Sequence, residues 1–502
     1  MMDMLLNGRP LIAVLVSMIA AGLILILGNK ISANQRESIT MIAAVCKVLC
    51  VFSMISAVMG GESFHLVLFE VAGGINLGFK VDSVGMVFAC VASALWLVTS
   101  IYSIGYMREH KEKNQTGYFS AFALCVSGAI GICFSANLLT FFVFYELLTL
   151  ATYPLITHYR NEEGKRSGRK YLIYSLGFGQ LMFAGIIYVY ATCGTLEFRP
   201  GGFIGHSLTS GLTCLAFALL IVGGAVKAGL MPLHSWLPSA MVAPTPVSAL
   251  LHAVAVVKAG AFCVIRIVGY TFGPQLCAEI KATEVLAWMA VATIILASFI
   301  AMQKDNLKAR LAYSTVGQLA YIILGASISS EAAMTGAIYH IVAHAVLKIT
   351  LFMCAGAIFV TAHKDKISQM KGIGRKMPVT MTAFTVASLG IAGMPFTVGF
   401  VSKMNIIQGA AEAGQPLFIA TLIASALLSL TYLIPIGYIA FGKTSDSKEG
   451  ITLSTEADPK MLIPIVITAS LSILLGIMPN FGAGLLSLAE SASAAIFGGT
   501  WL

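Results

Sequence analysis

The sequence predicts an all-α polytopic membrane protein of about fourteen transmembrane helices. Three observations carry that prediction. Of 502 residues, 58% are hydrophobic and only 11% charged, with a mean hydropathy of +0.88; soluble globular chains carry about a quarter charged residues. Apolar stretches long enough to cross a hydrocarbon core, which takes roughly 20 residues as a helix, recur from end to end. The charged residues that remain are sorted by side.

The apolar stretches fall near 10–28, 39–58, 83–106, 118–135, 137–158, 171–192, 211–231, 247–269, 284–303, 311–328, 333–361, 378–408, 417–441 and 461–485, numbered here as spans 1 to 14. No small-residue cleavage pattern follows span 1, so it reads as a retained span and not a signal peptide. No connection is long enough to fold separately, so residues 1–502 read as a single transmembrane domain. The longest, 59–82, contains "FHLVLFEV" and "INLGFKVD", which alternate like a small β-hairpin.

Of 31 Lys and Arg, 21 lie in loops that follow odd-numbered spans, while 4 (Arg9, Lys80, Arg199 and Lys281) lie on the other side. Cytoplasmic loops carry such an excess. The bias places loops 159–170 and 362–377 in the cytoplasm and both chain ends outside it, in what is expected to be a prokaryotic cell (inner) membrane. The net charge of +9 is thereby a topology signal, and the lipid bilayer rather than nucleic acid is the expected surroundings. The ten cysteines form no CxxC, and Cys46 and Cys50, one turn apart, are two thiols without further ligands. No Gly-rich phosphate loop follows a strand. Neither a cofactor nor a metal is expected. The "NQT" at 114–116 falls in a cytoplasmic loop, away from glycosylation.

Six basic residues remain in or near the membrane: Lys47, Lys227, Lys258, Arg266, Lys348 and Lys403. Arg266, near the outer end of span 8, is expected to snorkel; Lys47 in span 2 lies off the main set. Glu146 is the one carboxylate deep in a span, and His252, His340 and His344 are also deep. Intramembrane ionisable groups face a bundle interior or water. Four lysines against one glutamate are too many for static ion pairs, which stabilise poorly in any case. Desolvation favours neutral lysine, and a lysine that can lose its proton can carry one. In "YHIVAHAVLKITLF" of span 11, His340, His344 and Lys348 recur every four residues on one helical face, about 6 Å apart along the axis. Histidines so placed cannot be opposite axial ligands of one haem, and no CxxCH exists.

Two spans are predicted to be broken. The run Leu212 to Val242 is too long for one straight span and is interrupted by Pro232 and Pro238. Span 12, "TAFTVASLGIAGMPFTVGFVSKMNIIQG", contains Gly390, Gly393, Pro395 and Gly399 before Lys403. Each broken segment carries one lysine. Spans 7 and 12 are five apart and so cross in opposite directions, which predicts inverted five-helix repeats: spans 4–8 (118–269) and spans 9–13 (284–441). A rival likeness between 171–181 and 310–319 would misalign the broken helices and is set aside as chance.

The segment "KAGLMPLHSWLPSAMVAPTPVSALLHAVAVVKAGAF" (227–262) resembles the most characteristic stretch of the proton-translocating antiporter-like subunits. These include the L, M and N-type subunits of respiratory complex I and the A and D subunits of Mrp cation/proton antiporters. "FKVDSVGMVF", "FYELLTLATYPLI", "LKARLAYSTVGQLAYIILG", the His–His–Lys ladder and "GMPFTVGFVSK" extend the resemblance over nearly the whole chain. It implies that Glu146 pairs with Lys227 and sets its proton affinity, and that Lys170, in "GRKYLIYSLG", modulates the pair. It implies that His252 and Lys258 form a central relay continued by Lys348 with His340 and His344, and that Lys403 is the terminal exchange residue. A glutamate stands at that last position in the complex I M-type subunit. The chain ends soon after span 14, without the lateral helix of the L-type or the extra domain of the Mrp A-type, so the Mrp D-type fits best; related membrane hydrogenase subunits are similar too.

The expected function is therefore that of an ion-translocating membrane subunit moving H+, with Na+ as a candidate counter-ion. With no redox motif or nucleotide loop, the chain would take part in an enzyme only as the translocase subunit of an NADH:quinone oxidoreductase-like or hydrogenase complex. Its expected partners are other membrane subunits, including a related antiporter-like chain. Two readings from other classes remain: a solute transporter of the same fold, for example for inorganic carbon, which would show a binding pocket, and a structural membrane anchor, which would tolerate loss of the charges.

Overall fold

The computed structural model describes residues 7–204, 210–442 and 456–498. Lys443 and Lys448, two of the basic loop residues after span 13, lie outside the described residues. All fourteen apolar stretches are helical, and among the described residues twelve helices are each long and apolar enough to cross a membrane. The other two differ for physical reasons. Span 10, Leu307–Ser327, carries Lys308, Arg310, Ser314, Thr315 and Gln318. Span 12 is two helices, Pro378–Ala392 and Val398–Glu412, separated by a turn at Gly393. A further helix, Leu485–Gly498, follows span 14 and packs against spans 3 and 11; hydropathy alone does not separate it.

Several helix starts coincide with side chains that accept from the free amide groups of a first turn. Asp82 caps span 3 through Gly85 N, Asn137 caps span 5 through Thr140 N, and Asn306 caps span 10 through Ala309 N. The expected hairpin is present as antiparallel strands β1 (Phe64–Ala72) and β2 (Ile75–Val81), joined through Gly73 and Gly74 with φ of 56° and 83°. Both glycines occupy the left-handed region that a tight hairpin turn requires.

The break in span 7 lies between the helix Ser210–Ala228 and a short helix at Trp236–Ser239. A third break is not foreshadowed in the sequence. Span 8 divides into Thr245–Ala253 and Val256–Arg266, with Ala255 at φ −117° and ψ −85°. It falls between His252 and Lys258, in a stretch with neither Gly nor Pro. Span 11 is by contrast one unbroken helix, Glu331–Ala362. It packs against spans 3, 10 and 14, the first half of span 8 and both halves of span 12. Every residue from Ala333 to Ile358 on it is buried. Spans 8 and 11 together form the centre of the bundle, and the exposed apolar side chains concentrate on peripheral helices such as span 2 (Ile42, Leu49) and span 13 (Leu427, Tyr438).

Arg266 does not snorkel. It is 1% exposed. Its guanidinium binds Asp82 through Nη1 and Nη2, and Nη2 also donates to the Cys133 carbonyl at 3.3 Å. The rings of Phe198, Phe262 and Tyr270 surround it with centroids at 5.1, 5.0 and 4.6 Å. A bidentate carboxylate and three ring faces stabilise a buried guanidinium, so the side chain has no need to reach the surface.

Candidate functional site

Glu146 stands on span 5 (Leu138–Ile156), one residue after Tyr145. Lys227 is in the last turn of the first half of span 7 and is fully buried. Its Nζ donates to the Tyr145 carbonyl at 2.6 Å and sits 3.2 Å from the centroid of the Tyr145 ring. Glu146 is close enough for its charge to act on Lys227, but among the described residues the two form no direct ion pair, and the Glu146 carboxylate has no close hydrogen bond, although the Thr149 hydroxyl one turn on also acts on it. Consecutive helical side chains diverge by about 100°, so Tyr145 faces span 7 while Glu146 faces span 6. There the missing Cβ of Gly179 makes room for it: a methyl at that position would lie 2.3 Å from Oε1.

The two lysines near the cytoplasmic-type loops both reach the segment between spans 7 and 8. Lys170 donates to Ser239 Oγ at 3.1 Å, and Lys308 donates to the Ala243 carbonyl at 2.7 Å. Lys170, expected to modulate the Glu146–Lys227 pair, is bound here to Ser239 and not to either member of the pair; Lys308 reads in the sequence as a loop charge. Lys308 also acts electrostatically on His252.

His252 is fully buried beneath the ring of Phe352, 4.7 Å between centroids, and neither ring nitrogen has a partner among the described residues. Across the break, Lys258 Nζ contacts His344 Nδ1 on span 11. His340 Nδ1 is 2.8 Å from Ser402 Oγ on the second half of span 12, and its other nitrogen is unpartnered. The rings of His340 and His344 stand 6.2 Å apart. Thus the histidines, more than Lys348, bridge the central lysine to span 12. Lys348 turns toward span 10, donating to the Leu311 carbonyl at 3.3 Å. Lys403 donates to the Ile391 carbonyl at 2.5 Å, a group freed by the break. It lies 4.7 Å from the centroid of Tyr321, the same ring on which His340 stacks. Gly393, with φ of 87°, turns the chain beside it, where a Cβ would meet Lys403 Cδ at 2.8 Å.

Glu146, Lys227, His252, Lys258, His340, His344, Lys348 and Lys403 thus lie on spans 5, 7, 8, 11 and 12 of the bundle. Lys227 and Lys403, at the breaks of spans 7 and 12, each have a backbone carbonyl and a tyrosine ring as neighbours, whereas Lys258, beside the break in span 8, has His344. Tyr145, Tyr321 and Ser402 escape a sequence reading because aromatic and small residues at depth read as packing. Lys47 is apart from this row: buried in span 2, it contacts Ser17 Oγ and faces the Trp96 ring at 5.2 Å. Buried polar atoms without protein partners are uncommon. Among the described residues Glu146, His252, His340 and His344 have such atoms, as do His234, Tyr171 and several other polar side chains of the bundle.

Comparison with known proteins identifies the family and the fold. Residues 135–429 match the family described as NADH:quinone oxidoreductase/Mrp antiporter, TM, and residues 70–119 match that of the NADH-ubiquinone oxidoreductase (complex I) chain 5 N-terminus. The chain is 34% identical over 342 residues to NADH-quinone oxidoreductase subunit N of Desulforudis audaxviator, covering 67% of each chain. It is 31% identical over 389 residues to the A/B component of a probable K(+)/H(+) antiporter of Rhizobium meliloti, covering 76% of this chain and 38% of that longer one. Two solved structures share the fold. A chain of an archaeal membrane-bound sulfane sulfur reductase superposes with a TM-score of 0.86 at 22% identity, covering 98% of this chain and 99% of the other. A chain of the Mrp complex from Dietzia sp. superposes with a TM-score of 0.85 at 20% identity, covering 98% of both. With the family match spanning the breaks, the buried lysines and the histidine ladder, this integral membrane protein belongs to the NADH:quinone oxidoreductase/Mrp antiporter family of membrane subunits.

Proposed function

We propose that the chain is the proton-translocating, Mrp D-type subunit of a multisubunit membrane complex. Protons pass between Lys227, His252, Lys258, the His344–His340 pair with Lys348, and Lys403, with Glu146 and Lys170 biasing the Lys227 end. The observation that carries this reading is the contact of Lys258 with His344 across the interior. It joins the break in span 8 to the ladder on span 11 through groups that ionise. Charge at one member changes the proton affinity of the next, so a shift at Glu146–Lys227 propagates without any single large movement. The shared arrangement of lysine, carbonyl and tyrosine at the breaks of spans 7 and 12 supports two inverted repeats, 118–269 and 284–441. A polar row strung over several helices favours ion movement over a solute pocket.

The test is Lys258→Ala in the assembled complex reconstituted into vesicles. Ion-driven proton movement should fall to background while the complex still assembles; wild-type movement would end the relay reading. Whether Na+ is the counter-ion is read in the same vesicles by replacing it with K+ or choline.

The proposed partners are further membrane subunits, including a related antiporter-like chain, in a prokaryotic cell membrane with both chain ends outside the cytoplasm. Single cysteines placed in loop 362–377 should resist an impermeant thiol reagent added outside intact cells. Efficient labelling there would reverse the orientation.

A further inference from the structure

On the face of the bundle that carries the basic loops, between spans 3 and 4, a carboxylate is buried where a solvated loop residue would be ordinary. The Glu112 side chain is 5% exposed although Lys111 and Lys113 on either side are exposed. His110 Nδ1 is 3.0 Å from its Oε1, His158 Nε2 is 3.5 Å from its Oε2, and the Tyr159 hydroxyl donates to Oε1 at 2.7 Å. Burial alone would raise this carboxyl, but the hydrogen bonds from His158 and Tyr159, with the nearby histidine charge, hold it below the usual carboxylate range. His110 and Tyr159 are partly exposed and open the cluster to water.

The inner side of the cluster leads toward span 8. Tyr106 stacks on His110 at 5.8 Å, and its hydroxyl faces both Tyr159 and Thr245. Thr245 begins span 8 and shares a helical face with Ser248 and His252, three and seven residues on. Ser248 Oγ and both nitrogens of His252 are fully buried without hydrogen-bond partners among the described residues. A carboxylate that merely fastened a loop would have no reason to be continued inward by hydroxyls ending at an unpartnered imidazole.

We propose that Glu112 with His158 is a proton-loading cluster for the row of ionisable groups, and that Tyr106, Thr245 and Ser248 conduct the proton from it to His252. The proposal deepens the relay reading and rests on it. Histidine is the side chain suited to take up a proton near neutrality, and Glu112 passes it on. Each hydroxyl in the row accepts a proton on oxygen and releases its own, so every hydroxyl ends neutral with its hydrogen bond reversed. Glu112 recovers its negative charge and His252 gains the proton. One helical turn, about 5.4 Å of rise, separates neighbouring groups on span 8, a gap that one water or one rotamer change closes.

The experiment compares wild type, Glu112→Gln, Glu112→Asp, Tyr106→Phe and Lys258→Ala in the assembled complex in vesicles. It measures the initial rate of proton uptake from the basic-loop side across a pH series. Glu112→Gln and Tyr106→Phe should each lower the rate by at least tenfold and move the midpoint of its pH profile, and Glu112→Asp should recover much of the rate. Wild-type rates and pH profiles in assembled Glu112→Gln and Tyr106→Phe overturn the inlet. If Glu112→Gln does not assemble, Tyr106→Phe decides, since it keeps the ring on His110 and removes only the hydroxyl. Loss of transport in Lys258→Ala with unaltered uptake in the other two defeats the inlet alone; wild-type transport in Lys258→Ala defeats the relay beneath it.

Discussion

Arg266 and Lys258 lie two turns apart on the same half of span 8, and both are buried, yet they are housed in opposite ways. Arg266 is matched at once: a bidentate carboxylate, a carbonyl and three aromatic rings leave only its Nε without an acceptor among the described residues. Lys258 contacts His344, which is itself a titratable group with its second nitrogen unpartnered. A guanidinium keeps its charge under all ordinary conditions, whereas a lysine changes protonation readily when buried. The contrast separates buried charge that fixes structure from buried charge that can move. The first is recognised by direct, bidentate partnering with an opposite charge. The second is recognised by sparse partnering with groups that also ionise.

The strongest test of that contrast is at the other end of the row. Removing one partner of buried charges leaves the other uncompensated. In the assembled complex Glu146→Gln or Lys227→Ala should reduce proton transport to background, and Glu146→Asp should retain part of it. The check is vesicle transport normalised to the amount of complex. Since Glu146 acts on Lys227 through the field rather than through a direct bond, a shortened carboxylate at the same position can still serve.

Arg266→Ala should break the contrast in the other direction. It leaves Asp82 facing a cavity lined by aromatic rings, at a cost of about 3 kcal/mol, the low end for a broken buried pair because Asp82 is partly exposed. Less protein should assemble, and the detergent-solubilised complex should aggregate at lower temperature, while the transport rate per assembled complex remains close to wild type. Full thermal stability together with lost transport would place Arg266 among the mobile charges.

The smallest effect expected concerns pH at Glu112. Its carboxyl lies below its ordinary range in the folded protein. The stabilisation from that depression is fully present above the ordinary value and is lost as pH falls through the lowered one. Hydrogen exchange in the loop joining spans 3 and 4 should therefore show unchanged protection from pH 8 to 6 and loosening only in strong acid. Loss of protection already near pH 6 would mean that something other than the carboxylate holds the loop.

What can be read from the sequence depends on how local each signal is. Lysines and histidines within apolar runs are conspicuous, so every deep ionisable residue of the row is visible there, and Pro and Gly mark the breaks at spans 7 and 12. The break in span 8 has no such mark, because "AVAV" at 253–256 consists of residues at home in any helix, and only packing interrupts it. The burial of Arg266 depends on Asp82, 184 residues earlier, and no spacing rule reaches that far. Lys308 and Glu112 look like solvated loop charges because sequence gives side but not depth. The tyrosines beside Lys227 and Lys403 are hidden by their own ambiguity, since a ring face that holds an ammonium looks, in sequence, like a ring that fills a core.

The unbroken helix Glu331–Ala362 carries one further consequence, for time rather than place. His340, His344 and Lys348 ride on a single helix whose backbone bonds are continuous and whose surroundings are packed on every side. Passing a proton along contacts already made on one helix needs no backbone movement, whereas helices shift collectively in microseconds to milliseconds. If protons use this row, the hops along span 11 are the fast ones, and the clock of the molecule is kept by the interrupted helices on either side of it.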